Sequence, residues 1–158
     1  MANVAAGCFQ CLLHGVVDVL RQKMNEAGVD VSVEFLGDGE LRIDEYQVKQ
    51  VIINLLSNAI DAVHERAANS DIKFLKTVKL ISDLTSLTHW TLSVIDSGIG
   101  ISDEQKENMF DPFYSTKPDG TGLGLAIAGS IISAHNGEIK IANNAGLGCT
   151  VVVKLPRK

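Results

Sequence analysis

A chain of 158 residues, 46% of them hydrophobic and 21% charged, has the proportions of one globular domain with a sizeable core. Its net charge of −5 excludes a general nucleic-acid binder, and no apolar run approaches the roughly 20 residues of a membrane helix. Three cysteines are too few for a disulfide framework, and the N-terminal MANVAAGCFQCLLHGVV lacks the basic start and apolar centre of a signal peptide, so the domain reads as cytoplasmic.

Residues 1–8 read as disordered or extraneous, leaving a domain over 9–158. From about 9 to 27, Leu12, Leu13, Val16, Val17, Val19, Leu20 and Met24 recur at helical spacing, and Gly28 ends the run. Cys8 and Cys11 sit at i and i+3 of this helix. Without a second pair for zinc, they are expected to be two buried small apolar residues. His14 is followed by Gly15, with no adjacent acid to take a proton, so it is not read as a phosphoacceptor. Residues 29–35, VDVSVEF, alternate as a half-buried strand, and 40–43 form a second short one after the Gly37-Asp38-Gly39 turn.

Asp44 is placed to cap a long helix over 45–67 whose apolar stripe is wide enough to cover a sheet. Asn54 and Asn58 stand one above the other beside that stripe, and Asp61 continues their face. Asparagine is a poor helix-interior residue, so these two either find partners at the stripe's edge or serve a ligand. An amide oxygen suits a hard cation such as Mg²⁺, which keeps several waters and takes nucleotide phosphates.

Two strands follow, at 77–83 and 89–95. Trp90 reads as a packing residue, and the second strand runs into IDSGIGI. Asp96 is placed to hold a carboxylate at a pocket rim, with Gly98 and Gly100 letting the backbone pass close by; a plain turn explains D-S-G as well. Ser102 and Gln105 have capping-box spacing for a short helix to 109.

The stretch over 110–133, FDPFYSTKPDGTGLGLAIAGSIIS, carries Gly120, Gly122 and Gly124 at alternate positions before a helix from about Leu123. Such glycines expose backbone N–H groups, and the helix start behind them adds positive partial charge. Thr116 and Lys117 precede them on a loop able to fold over an anion. A Walker phosphate loop needs its Lys after the glycines, so this is a different phosphate clamp with a movable lid, or else a tight turn before an ordinary helix. Strands at 138–142 and 150–155 close the chain as a hairpin around NNAGLG, with the Thr150 hydroxyl able to reach a base directly or through water. His64, His89 and His135 are expected on the surface, solvated or locally bonded.

Taken in order, N-L-L-S-N-A (54–59), D-S-G-I-G (96–100), F-D-P-F (110–113), G-T-G-L-G (120–124) and G-L-G-C-T (146–150) resemble the N, G1, F, G2 and G3 boxes of the ATP-binding domain of sensor histidine kinases, within the gyrase–Hsp90–histidine kinase–MutL superfamily. The wording NAIDA and DPFYSTKPDGTGLGLAI looks most like the nitrogen-regulation subtype.

That resemblance implies an α/β two-layer sandwich, a mixed sheet covered by about three helices (the Bergerat ATP-binding fold). It implies ATP and Mg²⁺ as ligands, with Asn58 on the metal, and Asn54, Asn58 and Lys117 as the catalytic set. Asp96 would accept from the adenine amine, with Gly98, Gly100 and Ile101 shaping the adenine pocket. Phe110 and Phe113 would anchor the lid. Thr116, Lys117, Gly120, Thr121, Gly122, Leu123, Gly124 and Leu125 would follow the phosphates, and Thr150 would complete the adenine end. Asp61 stands where many relatives carry a basic residue, which puts a phosphate contact there in doubt. The implied partners are the phosphoacceptor histidine domain of the parent kinase and a downstream response regulator, with no nucleic acid and no membrane contact. No histidine of this chain is assigned as the acceptor, and the isolated domain is expected to be a monomer. Two other readings are a superfamily ATPase and an ATP-using protein-binding switch such as an anti-sigma factor. The ATPases place a glutamate base where Asn54 stands, which favours the kinase.

Overall fold

The computed structural model describes residues 2–4 and 6–157, with side chains from Phe9 onward. Helix α1 (Ala6–Val19) leads into α2 (Arg21–Ala27), and strand β2 (Asp30–Leu36) follows. Strand β3 (Leu41–Ile43) precedes the long helix α3 (Glu45–Ala68). Strands β4 (Thr77–Asp83) and β5 (His89–Asp96), the short helix α4 (Asp103–Asn108), helix α5 (Gly124–Ala134), and strands β6 (Glu138–Asn143) and β7 (Cys149–Pro156) complete the chain.

Five strands form one sheet in the order β2-β4-β5-β7-β6; β2 and β4 are parallel and the other pairs antiparallel. Period-two alternation decides its faces. Val78 and Leu80 of β4, Trp90, Leu92 and Val94 of β5, and Val151, Val153 and Leu155 of β7 are buried on one face. The intervening positions of β5 are half-buried. Helices α1, α3 and α5 cover the buried face, α3 with its stripe from Val48 to Val63 and α5 with Ala128 and Ile132. This is the expected two-layer α/β sandwich with a mixed sheet and three principal helices. Trp90 fulfils its packing role: its ring meets Phe9 edge-on at 4.6 Å, and its Nε1–H donates to Ser82 Oγ at 2.9 Å, satisfying a buried donor.

The helix expected over 9–27 is two helices, turned at Leu20 (φ −96°, ψ 5°), although Leu20 N–H still reaches the Val16 carbonyl. Gly28 ends α2 at φ 63°, as a left-handed C-cap. Residues 1–8 are not all outside the fold. Ala2–Val4 form strand β1, paired antiparallel with the edge groups that β3 offers, and α1 already starts at Ala6. Cys11 is exposed rather than buried, because it lies off the stripe of Leu12, Leu13 and Val16; the Cys8 side chain is outside the described residues. His135 is buried rather than on the surface. Its Nδ1–H donates to the Ile131 carbonyl (2.8 Å) and its Nε2 accepts from the Asp44 N–H (3.2 Å), so the ring joins the end of α5 to the start of α3.

Local signals account for the element ends. Asp44 accepts from the Gln47 N–H at 3.0 Å, and Ser102 and Gln105 form the reciprocal capping box of α4. These elements direct the end of β5, the middle of α3, the start of α5 and the β6–β7 turn toward the same part of the molecule.

Candidate functional site

Two clusters lie along α3. The first gathers Asn54, Asn58 and Asp61 with the loop over 110–123 and the start of α5. Asn54 donates from Nδ2 to the Gly124 carbonyl (2.8 Å) and accepts at Oδ1 from Gln50 (3.3 Å). Its amide therefore ties α3 to the glycine-rich helix start. Asn58 Oδ1 accepts from Lys117 Nζ at 3.0 Å, and the same ammonium is paired with Asp61 Oδ2. The lid loop thus reaches back across to α3 through its single lysine. Helix α5 begins with no side chain capping its first N–H groups, as an anion-accepting terminus requires.

Asp61 is not isolated. Lys23 of α2 donates to it at 2.7 Å and to Ser57 Oγ at 2.6 Å. Burial alone would raise the Asp61 pKa, but the two lysines outweigh it and hold the carboxyl below its usual range. Asp61 is therefore a lysine anchor, one carboxylate shared by two cations. Lys23 carries no motif signal, because it arrives from 34 residues upstream of Ser57 through the packing of α2 on α3.

The second cluster is built on Asp96, buried at the end of β5. Its Oδ1 accepts from the backbone N–H groups of Gly98 (2.8 Å) and Cys149 (3.2 Å), while Oδ2 has no partner among the described residues. Burial pushes its pKa up, against these two hydrogen bonds. Gly98 is required here by contact: a Cβ on it would stand 2.7 Å from the Ala62 side chain. Ala62 lies one turn along α3 from Asn58, so the helix connects the two clusters. Arg66, also on α3, donates to the Ser97 carbonyl at 2.7 Å and stacks over Phe74.

Thr150 does not join Asp96. It pairs in register with Ile95, on the face of the sheet opposite Asp96, and its hydroxyl donates to Asn144 Oδ1 at 2.6 Å. Cys149 occupies the Asp96 side instead, buried in line with Val151, Val153 and Leu155; counting back by two from Leu155 would have placed it there. Its thiol is pushed up to about 11 by burial and then by the charge of Asp96.

In the lid, Phe110 lies against Gly129 of α5, whereas the Phe113 ring is 78% exposed. Phe113 contributes through its backbone. At φ 68°, an unfavourable value for a bulky residue, its N–H donates to the Gly122 carbonyl at 2.9 Å. Gly122 is itself at φ 68°, and a Cβ there would collide with the Phe113 main chain. Thr116 is exposed, Thr121 Oγ1 accepts weakly from the Leu123 N–H (3.4 Å), and Gly120 packs on Ser115. Leu125 packs against the core, and Gly100 and Ile101 lie against Asn143 of β6.

The arrangement offers an unpaired carboxylate oxygen at one end and, at the other, a cation, an amide oxygen and a free helix start. Comparison with known proteins shows the family. Residues 43–158 match the family described as histidine kinase-, DNA gyrase B-, and HSP90-like ATPase. The chain is 34% identical over 152 residues to the signal transduction histidine-protein kinase AtoS of Escherichia coli K12, covering 93% of this chain and 24% of that protein. Among solved structures, it is similar to the catalytic domain of histidine kinase ThkA (TM-score 0.81, 31% identity, 99% of both chains). It is also similar to ThkA in complex with the response regulator TrrA (TM-score 0.77, 26% identity, 99% of this chain and 42% of that one). The chain spans about a quarter of the curated relatives it matches. It belongs to the histidine kinase-, gyrase B- and HSP90-like ATPase family, as an ATP-binding catalytic domain of the histidine kinase kind.

Proposed function

We propose that this domain binds Mg²⁺-ATP and passes the γ-phosphoryl group to a histidine on a separate phosphoacceptor domain of the same kinase, in the cytoplasm, for relay to a response regulator. The observation that carries this is Oδ2 of Asp96, which has no hydrogen-bond partner among the described residues: an acceptor on a largely buried carboxylate, beside the turn of Gly98 and Gly100, suits the exocyclic amine of adenine. The relay partner rests on the likeness to a kinase solved with its response regulator. The NAIDA and DPFYSTKPDGTGLGLAI wording supports the nitrogen-regulation subtype.

Phosphoryl transfer asks a protein for positioning and charge neutralisation more than covalent help. The Lys117 ammonium and the uncapped N–H groups of α5 supply both at the phosphate end, and Asn54 keeps the helix start in place through Gly124. Asn58 Oδ1 fits a hard cation, being an oxygen donor already directed at positive charge; when bound, Mg²⁺ neutralises the phosphate oxygens. Among the described residues, position 54 carries no base to activate water. An asparagine amide at position 54 does not accept a proton, so the γ-phosphate is protected until an imidazole is presented.

Calorimetric titration with ATP, with and without Mg²⁺, and an assay of phosphate release test this directly. Metal-dependent binding without sustained hydrolysis is expected. Steady turnover would favour an ATPase, and failure to bind would overturn the reading.

A further inference from the structure

The turn that carries Asp96 has few side chains to pack with, since Gly98 and Gly100 occupy its centre. Its shape is held instead by two consecutive asparagines, Asn143 at the end of β6 and Asn144 just past it, which bond to opposite ends of the turn. Asn143 grips one end: the Ile101 N–H donates to its Oδ1 (2.8 Å), and its Nδ2 donates to the Ile101 carbonyl (2.8 Å). The Cys149 thiol donates to the same Oδ1 at 3.3 Å. Asn144 grips the other end, donating from Nδ2 to the main-chain carbonyl of Asp96 (3.0 Å) while its Oδ1 accepts the Thr150 hydroxyl (2.6 Å).

Chemistry fixes both amide orientations. The Ile101 N–H can only donate and the Asp96 carbonyl can only accept, so each must face the atoms named. Thr150 lies on the outer face and bonds Asn144, not Asp96.

We propose that Asn143 and Asn144 are specificity-determining positioning residues for the purine end of the site. They hold Asp96 and the Gly98–Ile101 backbone where an exocyclic amine is accepted and an exocyclic oxygen is refused. This rests on the reading that Asp96 receives adenine. Discrimination by hydrogen bonding depends on placing the acceptor to within a fraction of an ångström, and neither amide needs to touch the base to provide that.

The test compares ATP with inosine triphosphate, whose base carries oxygen in place of the amine, by competition titration on the purified domain. The Asn143→Ala and Asn144→Ala variants are expected to lower the ATP-to-inosine triphosphate affinity ratio by about 3- to 10-fold, the size of one misplaced hydrogen bond. Mg²⁺ dependence should stay unchanged. Should an alanine variant lose cooperative unfolding, Asn143→Asp and Asn144→Asp, which keep the acceptor and lose the donor, decide instead. A ratio equal to wild type in folded variants, or equal losses for both nucleotides, overturns the inference. A wild-type domain that binds ATP but does not discriminate overturns the assignment of Asp96, and one that binds neither nucleotide overturns the ATP reading itself; the inference falls with either.

Discussion

The two ends of the site are built on opposite plans. The purine end is tied to main chain: Asp96 Oδ1 takes two backbone N–H groups, and side-chain amides clamp the turn behind it. The phosphate end is tied by charge. A lid lysine rests on Asn58 and Asp61, and Lys23 shares the same carboxylate. Backbone ties inside a sheet are stiff and directional, whereas pairs of partly exposed ions exchange partners readily and are screened by salt. On the proposed reading, selection of the base is thereby separated from capture of the phosphates. The ammonium that is expected to meet phosphate occupies the very oxygen expected to meet Mg²⁺, so nucleotide arrival has to move it.

The sharpest way to break this comparison is at Asp96. Asp96→Asn should weaken ATP binding by about 10- to 150-fold, the range of a charge-assisted hydrogen bond, and yet raise the thermal midpoint. The sign follows from burial. The folded-state pKa lies above 3.8, so ionisation costs stability at neutral pH, and that cost fades as pH falls through the folded pKa toward 3.8. The stability gap between wild type and variant should therefore narrow on acidification, read by thermal unfolding across pH; a variant less stable at neutral pH would refute it.

At the other end, Lys117→Ala should weaken ATP binding by about 10-fold and also speed hydrogen exchange over residues 110–123 without nucleotide. A loss of affinity with unchanged exchange would mean that the lid is held by its backbone bonds alone. Asp61→Asn is expected to release the lysine and leave ATP affinity equal or up to about 3-fold tighter at low salt. The Asp61 pKa is lowered in the fold, so its contribution is present above pH 3.8 and lost as pH falls through the folded value. Exchange in the lid should rise over that acid window. The smallest effect belongs to Thr150→Val. On the far face of the sheet, it should shift ATP affinity by less than about 3-fold, and a larger loss would return Thr150 to the ligand.

What the sequence made legible follows the range of the interactions. Asp44, Ser102 and Gln105 act within four residues, so the starts of α3 and α4 can be read directly. The stripe of α3 and the alternation of β4, β5 and β7 declare the buried layer. Asn54, Asn58, Asp96 and the alternate glycines stand out because each contradicts local propensity. The rest depends on distance and on phase. Lys23 reaches Asp61 only through packing, and His135 is buried by meeting Asp44 from 91 residues away. The hydroxyl of Thr150 drew attention to it, whereas the phase of its strand puts Cys149, not Thr150, on the Asp96 side. Phe113 offered an aromatic anchor and supplies a strained backbone instead.

Helices α3 and α5 are joined at two points: Asn54 holds the first turn of α5, and His135, just past its last, holds the cap of α3. The ten residues of α3 between those points and the eleven of α5 both span about 15 Å. Two rods of similar length joined near both ends form a frame that resists pivoting about either joint. The lid is strung from one corner of that frame, so its swing need not disturb the spacing between the helix that presents Asn58 and the helix start that meets the phosphates. Loosening either pin would convert a hinged gate into a shifting wall.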